Sequence, residues 1–99
     1  MHSFVARLRR FGKSLVVTIP RDVVRELNLK GGETLLIRAC HYGLCWTRKA
    51  RVYKLGRKEY PSFAVVVPKK LVMRAMLMVG DTVTVYIVDV LSRGEKHGE

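Results

Sequence analysis

Arg7, Arg9, Arg10 and Lys13 fall within seven residues, and Arg48, Lys49, Arg51, Lys54, Arg57 and Lys58 fall within eleven. Guanidinium and ammonium groups at this density suit phosphate binding. Arginine forks pair with phosphate or with guanine edges, while lysine and serine more often reach phosphate oxygens. The whole composition points the same way. Nineteen Lys and Arg stand against eight Asp and Glu, a net charge of +11. Such a balance favours a polyanionic partner, nucleic acid or an anionic membrane surface. An evenly spread solubility charge is the bland alternative, and the clustering weakens it. For Arg48, Lys49, Arg51 and Lys54 that alternative stays open, as solvation of a long outer strand. Trp46, Tyr53 and Tyr60 interleave with the second cluster. Aromatics in that setting either stack on bases or pack across strands. Tyr60, in a turn, is the best placed for contact.

Other chemistries find less support. The three histidines are at 2, 41 and 97, two of them in terminal segments, and the acids form no close carboxylate pair. Lys30-Gly31-Gly32 precedes a strand, whereas a phosphate-cradling loop opens a helix. No enzyme activity and no cofactor are expected. Cys40, His41 and Cys45 are one ligand short of a structural zinc site. Free buried thiols are the expectation, ahead of a cross-strand disulfide and of metal, because disulfides are uncommon in the cytosol. No apolar run reaches the roughly 18 residues of a membrane span, and residues 1–4 lack a signal-peptide pattern. Neither short helix is basic and amphipathic enough to lie on a membrane. A cytoplasmic, nucleoid-associated protein is expected.

The elements that must carry the basic clusters read as mainly β with two short helices. Residues 4–10 alternate, with Phe4, Ala6 and Leu8 on one face. Residues 11–14 form a turn around Gly12, and residues 15–19 are a buried strand. Pro20 opens a two-turn helix with Val23, Val24 and Leu27 inward, ending near Asn28. Residues 34–40 and 44–49 make a hairpin about His41-Tyr42-Gly43. Residues 51–58, 62–67 and 82–90 are the later strands, with a second helix over 68–75. Residues 92–99 read as a flexible tail.

The design occurs twice. Adding 48 carries Ser14 to Ser62, Val17 to Val65, Pro20 to Pro68, Gly32 to Gly80 and Thr34 to Thr82, with no gap needed between Phe4 and Asp89. Each half alone would be a marginal domain. One pseudo-two-fold domain over residues 1–91 is expected, with repeat one at 4–49 and repeat two at 52–90. The second helix places Met73, Met76, Met78 and Val79 where the first has Arg25, Asn28, Lys30 and Gly31. Polar surface in one half becomes apolar in the other. That suits a homodimer or protein interface, or a surface covered by the tail or by rotation of the helix.

The stretch Ser14-Leu15-Val16-Val17-Thr18-Ile19-Pro20 through Leu27-Asn28-Leu29 to Gly31-Gly32-Glu33-Thr34 resembles the AbrB/MazE/SpoVT group of swapped-hairpin DNA-binding proteins. The resemblance covers residues 4–49 well and 52–90 more weakly. It implies a swapped-hairpin β-barrel, normally built by two chains and here closed by two tandem intrachain repeats. It also implies double-stranded DNA as partner. The family's contact positions fall on Arg9, Arg10, Lys13 and Ser14, with Arg7 just before them. A gapless match carries them to Arg57, Lys58 and Ser62, with Glu59, Tyr60 and Pro61 replacing Phe11, Gly12 and Lys13. The expected function is transcription regulation. The alternatives are an architectural chromatin protein and an antitoxin, the latter disfavoured because few residues follow the last strand.

Overall fold

A computed structural model describes residues 2–94. The alternation at the N-terminus produces β1 (His2–Arg7), with Phe4 and Ala6 packed on the core. The strand does not run on to Arg10. Leu8, 1% exposed, is a pivot: its N–H donates to the Asp81 carbonyl (2.7 Å) and its carbonyl accepts from the Gly80 N–H (2.8 Å). Beyond it, β2 (Arg9–Phe11) joins a different sheet. The β-branched run becomes β3 (Ser14–Ile19), followed by α1 (Arg21–Leu27) and β4 (Thr34–His41). Next come β5 (Leu44–Arg51), β6 (Tyr53–Gly56) and β7 (Pro61–Val67), then α2 (Lys69–Arg74) and β8 (Thr82–Ser92). The expected strand over 51–58 is therefore split at Val52, a second pivot that is also 1% exposed.

Two antiparallel four-stranded sheets result, in the orders β1-β8-β4-β5 and β2-β3-β7-β6. Each draws strands from both halves of the chain. Between them lie Leu15, Val17, Ile19, Val65 and Val67 from one sheet and Leu35, Ile37, Ala39, Val83, Val85 and Ile87 from the other. At the seams β1 runs close to β3 and β5 close to β7. The helices add Val23 and Leu71, and the turns after them add Leu29 and Leu77.

Both orders read the same from either end, and the registers follow a two-fold pattern. Leu15 pairs with Val67 and Ile19 with Phe63, about a centre at Val17 and Val65. Ile37 pairs with Ile87 and Ala39 with Val85, about Arg38 and Tyr86. The offset between equivalent residues is 48 in all of these. It is not 48 throughout, which corrects the gapless match. Leu8 and Val52 make the same pair of backbone bonds: the Val52 N–H donates to Glu33, and its carbonyl accepts from Gly32. Arg9 lies opposite Val16 as Tyr53 lies opposite Ala64, and Phe11 opposite Ser14 as Leu55 opposite Ser62. Arg7 faces Thr82 as Arg51 faces Thr34. Before the first turn the offset is 44. The second turn is four residues longer, and it absorbs the difference.

The helices end where expected but by unequal chemistry. Asn28 takes the left-handed conformation after α1 (φ 55°), a conformation its short polar side chain tolerates. Met76 takes it at the matching position (φ 53°). Buried Glu33 accepts from the N–H groups of Lys30 (2.6 Å) and Gly31 (2.9 Å), and Asp81 accepts from Met78 (2.8 Å) in the other half. The expectation of a flexible tail over 92–99 fails for its first residues. Ser92 closes β8, and the Arg93 guanidinium donates to the Leu27 carbonyl (2.7 Å), satisfying an open carbonyl at the end of α1. Residues 95–99 lie outside the described residues.

Candidate nucleic-acid interface

Period-2 alternation divides the second sheet between core and solvent. Leu15, Val17, Ile19, Val65 and Val67 point inward, so Ser14, Val16, Thr18, Ser62, Ala64 and Val66 form the outer face. The edge strands add Arg9 and Phe11 along one side and Tyr53 and Leu55 along the other, through the registers above. Val16 and Ala64 are buried although they face outward, because larger edge side chains rise on both sides. The face is a shallow trough, with depressions of about 140 and 130 Å³ between these residues.

The turns sit at opposite ends of this trough. The first, at Gly12-Lys13, lies beside the Val67 end of β7, and the second, residues 57–60, beside the Ile19 end of β3. Six residues of strand separate them, roughly 20 Å at about 3.3 Å per residue. Arg9 and Lys13 are exposed at one end, and Arg57 and Lys58 at the other, while Arg10 and Lys54, exposed on the edge strands, stand opposite Leu15 and Phe63 and so alternate away from the outer face. Among the described residues the ion pairs are His2–Glu26 (2.9 Å) and His41–Asp81 (3.8 Å). Among the described residues no carboxylate forms an ion pair with either cluster, although Glu59 lies in the second turn.

The predicted contact residues are thus only partly gathered. Arg9, Arg10, Lys13, Ser14, Arg57, Lys58, Tyr60 and Ser62 belong to the second sheet and its turns, with Ser14 half-buried and Ser62 exposed. Arg7 does not join them: it lies on β1 in the first sheet, opposite Thr82. Arg57 and Lys58 are not the counterparts of Arg9 and Arg10. Those are Tyr53 and Lys54, while Arg57 and Lys58 belong to the longer turn. The missed signal was glycine: Gly12 (φ 63°) and Gly56 (φ 86°) end β2 and β6 alike, and aligning them gives the 44 offset.

The remaining candidates separate similarly. Trp46 is half-buried opposite Ala39 and packs on the core, as the cross-strand reading requires. Tyr60 is 71% exposed. Lys49 and Arg51 lie opposite Leu36 and Thr34 at the edge of the first sheet. Met73 (78% exposed), Met76 (81%), Met78 and Val79 all reach solvent, so neither the helix nor the described chain covers them. Cys40 and Cys45 form a disulfide, which overturns the expectation of free buried thiols. The cause is the turn. Tyr42 and Gly43 both have positive φ (50° and 82°), the geometry of a two-residue hairpin connection, so the cysteines stand directly opposite each other. The bond takes up both sulfurs, and among the described residues no cluster of three or more His, Cys, Asp or Glu is placed to hold a metal.

Comparison with known proteins agrees with this geometry. Residues 8–39, from the Leu8 pivot through most of β4, match the family model "Antidote-toxin recognition MazE, bacterial antitoxin". No curated protein matches the chain. The solution structure of PHS018 from Pyrococcus horikoshii superposes with a TM-score of 0.71, at 20% identity, over 91% of each chain. The first half therefore carries a segment of the AbrB/MazE type, and the chain as a whole has the mainly β, AbrB-like fold.

Proposed function

We propose that the protein binds double-stranded DNA through the outer face of the second sheet and the turns at its ends, acting as a transcription regulator in the cytoplasm, associated with the nucleoid. One observation carries this reading: two cationic turns, whose Lys and Arg side chains form no ion pair among the described residues, stand roughly 20 Å apart on one face, related by the two-fold pattern of β3 and β7. A two-stranded ribbon or a turn can enter the major groove as a helix can. The arginines are the candidates for base edges, Lys13, Lys58, Ser14 and Ser62 for phosphates along the face, and Lys54 for a phosphate beyond its edge. The role is binding rather than catalysis.

Selection from random duplex DNA, followed by a salt titration, tests it. With roughly 6–8 phosphate contacts, log K falls against log salt with a slope of about −5 to −7. A selected site preferred at least ~10³-fold over random duplex marks a regulator. Equal affinity for both marks an architectural protein, and salt-independent binding rejects the electrostatic reading. A second reading, an antitoxin that holds a protein toxin, is favoured by the name of the matching family and by the exposed Met73, Met76, Met78 and Val79. Under it, a toxin co-purifies on co-expression and is lost on Met73→Lys.

A further inference from the structure

The longer turn does more than move the cationic cluster. Its end forms one wall of a groove of about 420 Å³, lined by Glu59, Tyr60, Pro61, Ser62 and Phe63 on one side. The other wall is the end of β3 and the exposed side of α1: Thr18, Ile19, Pro20, Arg21, Val24 and Arg25. That volume lies in the range of small-ligand sites and is open to solvent along the same face as the trough. Arg21 and Arg25 are exposed, and neither forms an ion pair among the described residues. Glu59 is the single carboxylate of the lining, set against two guanidinium groups and the exposed Tyr60 ring.

The opposite end of the face is built differently. The first turn is four residues shorter and has no counterpart of Glu59 or Tyr60. On α2 the places of Arg21 and Arg25 are taken by Lys69 and Met73. A groove with a net positive lining and an aromatic wall thus has its makings at one end alone.

We infer that this groove holds a sugar–phosphate segment of DNA flanking the main contact face, with Arg21 and Arg25 on the phosphate and Tyr60 and Pro61 against the deoxyribose, so that the protein reads an asymmetric site. The inference rests on the DNA-binding reading above and extends it. Guanidinium forks match phosphate oxygens geometrically, and the apolar Pro20, Val24 and Pro61 suit a sugar rather than a second charge.

Hydroxyl-radical footprinting of the full chain on a selected duplex tests it, comparing wild type with Arg25→Met, which installs the residue of the other half, and with Tyr60→Ala. Both positions are exposed, and circular dichroism and thermal melting verify folding. The wild type is expected to protect one flank further than the other. Each variant should lose that extra protection while keeping the central footprint, with affinity falling about tenfold for Arg25→Met. Arg25→Met should also flatten the salt slope by about 0.9, and Tyr60→Ala should leave it unchanged. A footprint symmetric about its centre, unaltered by either variant, overturns the groove assignment and leaves the DNA-binding reading standing. No binding to any duplex removes that reading and the groove assignment with it.

Discussion

The two halves of the molecule agree inside and disagree outside. Leu8 and Val52 switch sheets with the same backbone bonds, Val23 and Leu71 anchor the helices, and the β3–β7 ladder and the central β4–β8 pairs, from Ile37–Ile87 to Ala39–Val85, return their own registers when the halves are exchanged. On the surface the correspondence fails. One turn is short, the other four residues longer; one helix ends on Asn28, the other on Met76; one hairpin carries a disulfide. Core positions are held by packing that any volume change disturbs. Surface positions carry no such penalty, so they are free to differ. The asymmetry of the outer face of the second sheet is therefore obtained without cost to the shared core.

Four perturbations sharpen or break this comparison. The largest effect is expected at the pivots. Leu8→Ala should destabilise by about 2–5 kcal/mol, and Val52→Ala by less, because it removes fewer buried carbons. Urea unfolding measures both, and a negligible loss at Leu8 would mean that the sheet switch does not hold the halves together. Next, reducing the Cys40–Cys45 disulfide should cost about 2 kcal/mol through the freed loop entropy. It appears as a lower Tm in reductant, with the salt dependence of DNA binding unchanged. A shift in that dependence would show that the hairpin tip contributes to the interface.

The third perturbation concerns the helix ends. Met76 bears a left-handed conformation that costs an ordinary residue roughly 1–2 kcal/mol, so Met76→Asn should stabilise by about 1 kcal/mol, and Asn28→Met should lose as much. Equal thermal melts for Met76→Asn and wild type would refute the strain argument. The smallest free-energy change, and the most direct test of the offset, lies on the edge strands β2 and β6. Arg10→Ala and Lys54→Ala should each flatten the salt slope by about 0.9, with stability altered by no more than about 0.5 kcal/mol. If Arg10 is instead matched by Lys58→Ala, and Lys54→Ala is silent, the 44 offset does not govern the interface.

Much of this was legible locally. Pro20 and Asn28 bracket the first helix, Pro68 opens the second, and the β-branched runs mark β3 and β7, because propensity and capping act within a few residues. The offset was not legible in hydrophobic class. An even slip leaves every strand residue on its original face, so such a match tolerates an error of four; the pairing of Gly12 with Gly56 was the signal in the sequence, and the ladder partners establish it. Arg7 was misplaced for a related reason: alternation predicts inside and outside, but not which of two sheets owns the outside. The cysteines were recognised as flanking one hairpin. Their bond depended on whether the connection held two residues or three, which Tyr42 and Gly43 settle through their backbone angles.

What the residues by themselves determined was most of the elements and their order, the cationic surplus and the likeness of the first half to the MazE family model, since each follows from residue type and spacing along the chain. The tertiary structure alone decided where the chain changes sheets at Leu8 and Val52, which cations share a face, and that one end of that face opens into a groove. Those depend on hydrogen bonds and packing between residues tens of positions apart, and spacing along a chain does not encode which distant partner a strand will accept.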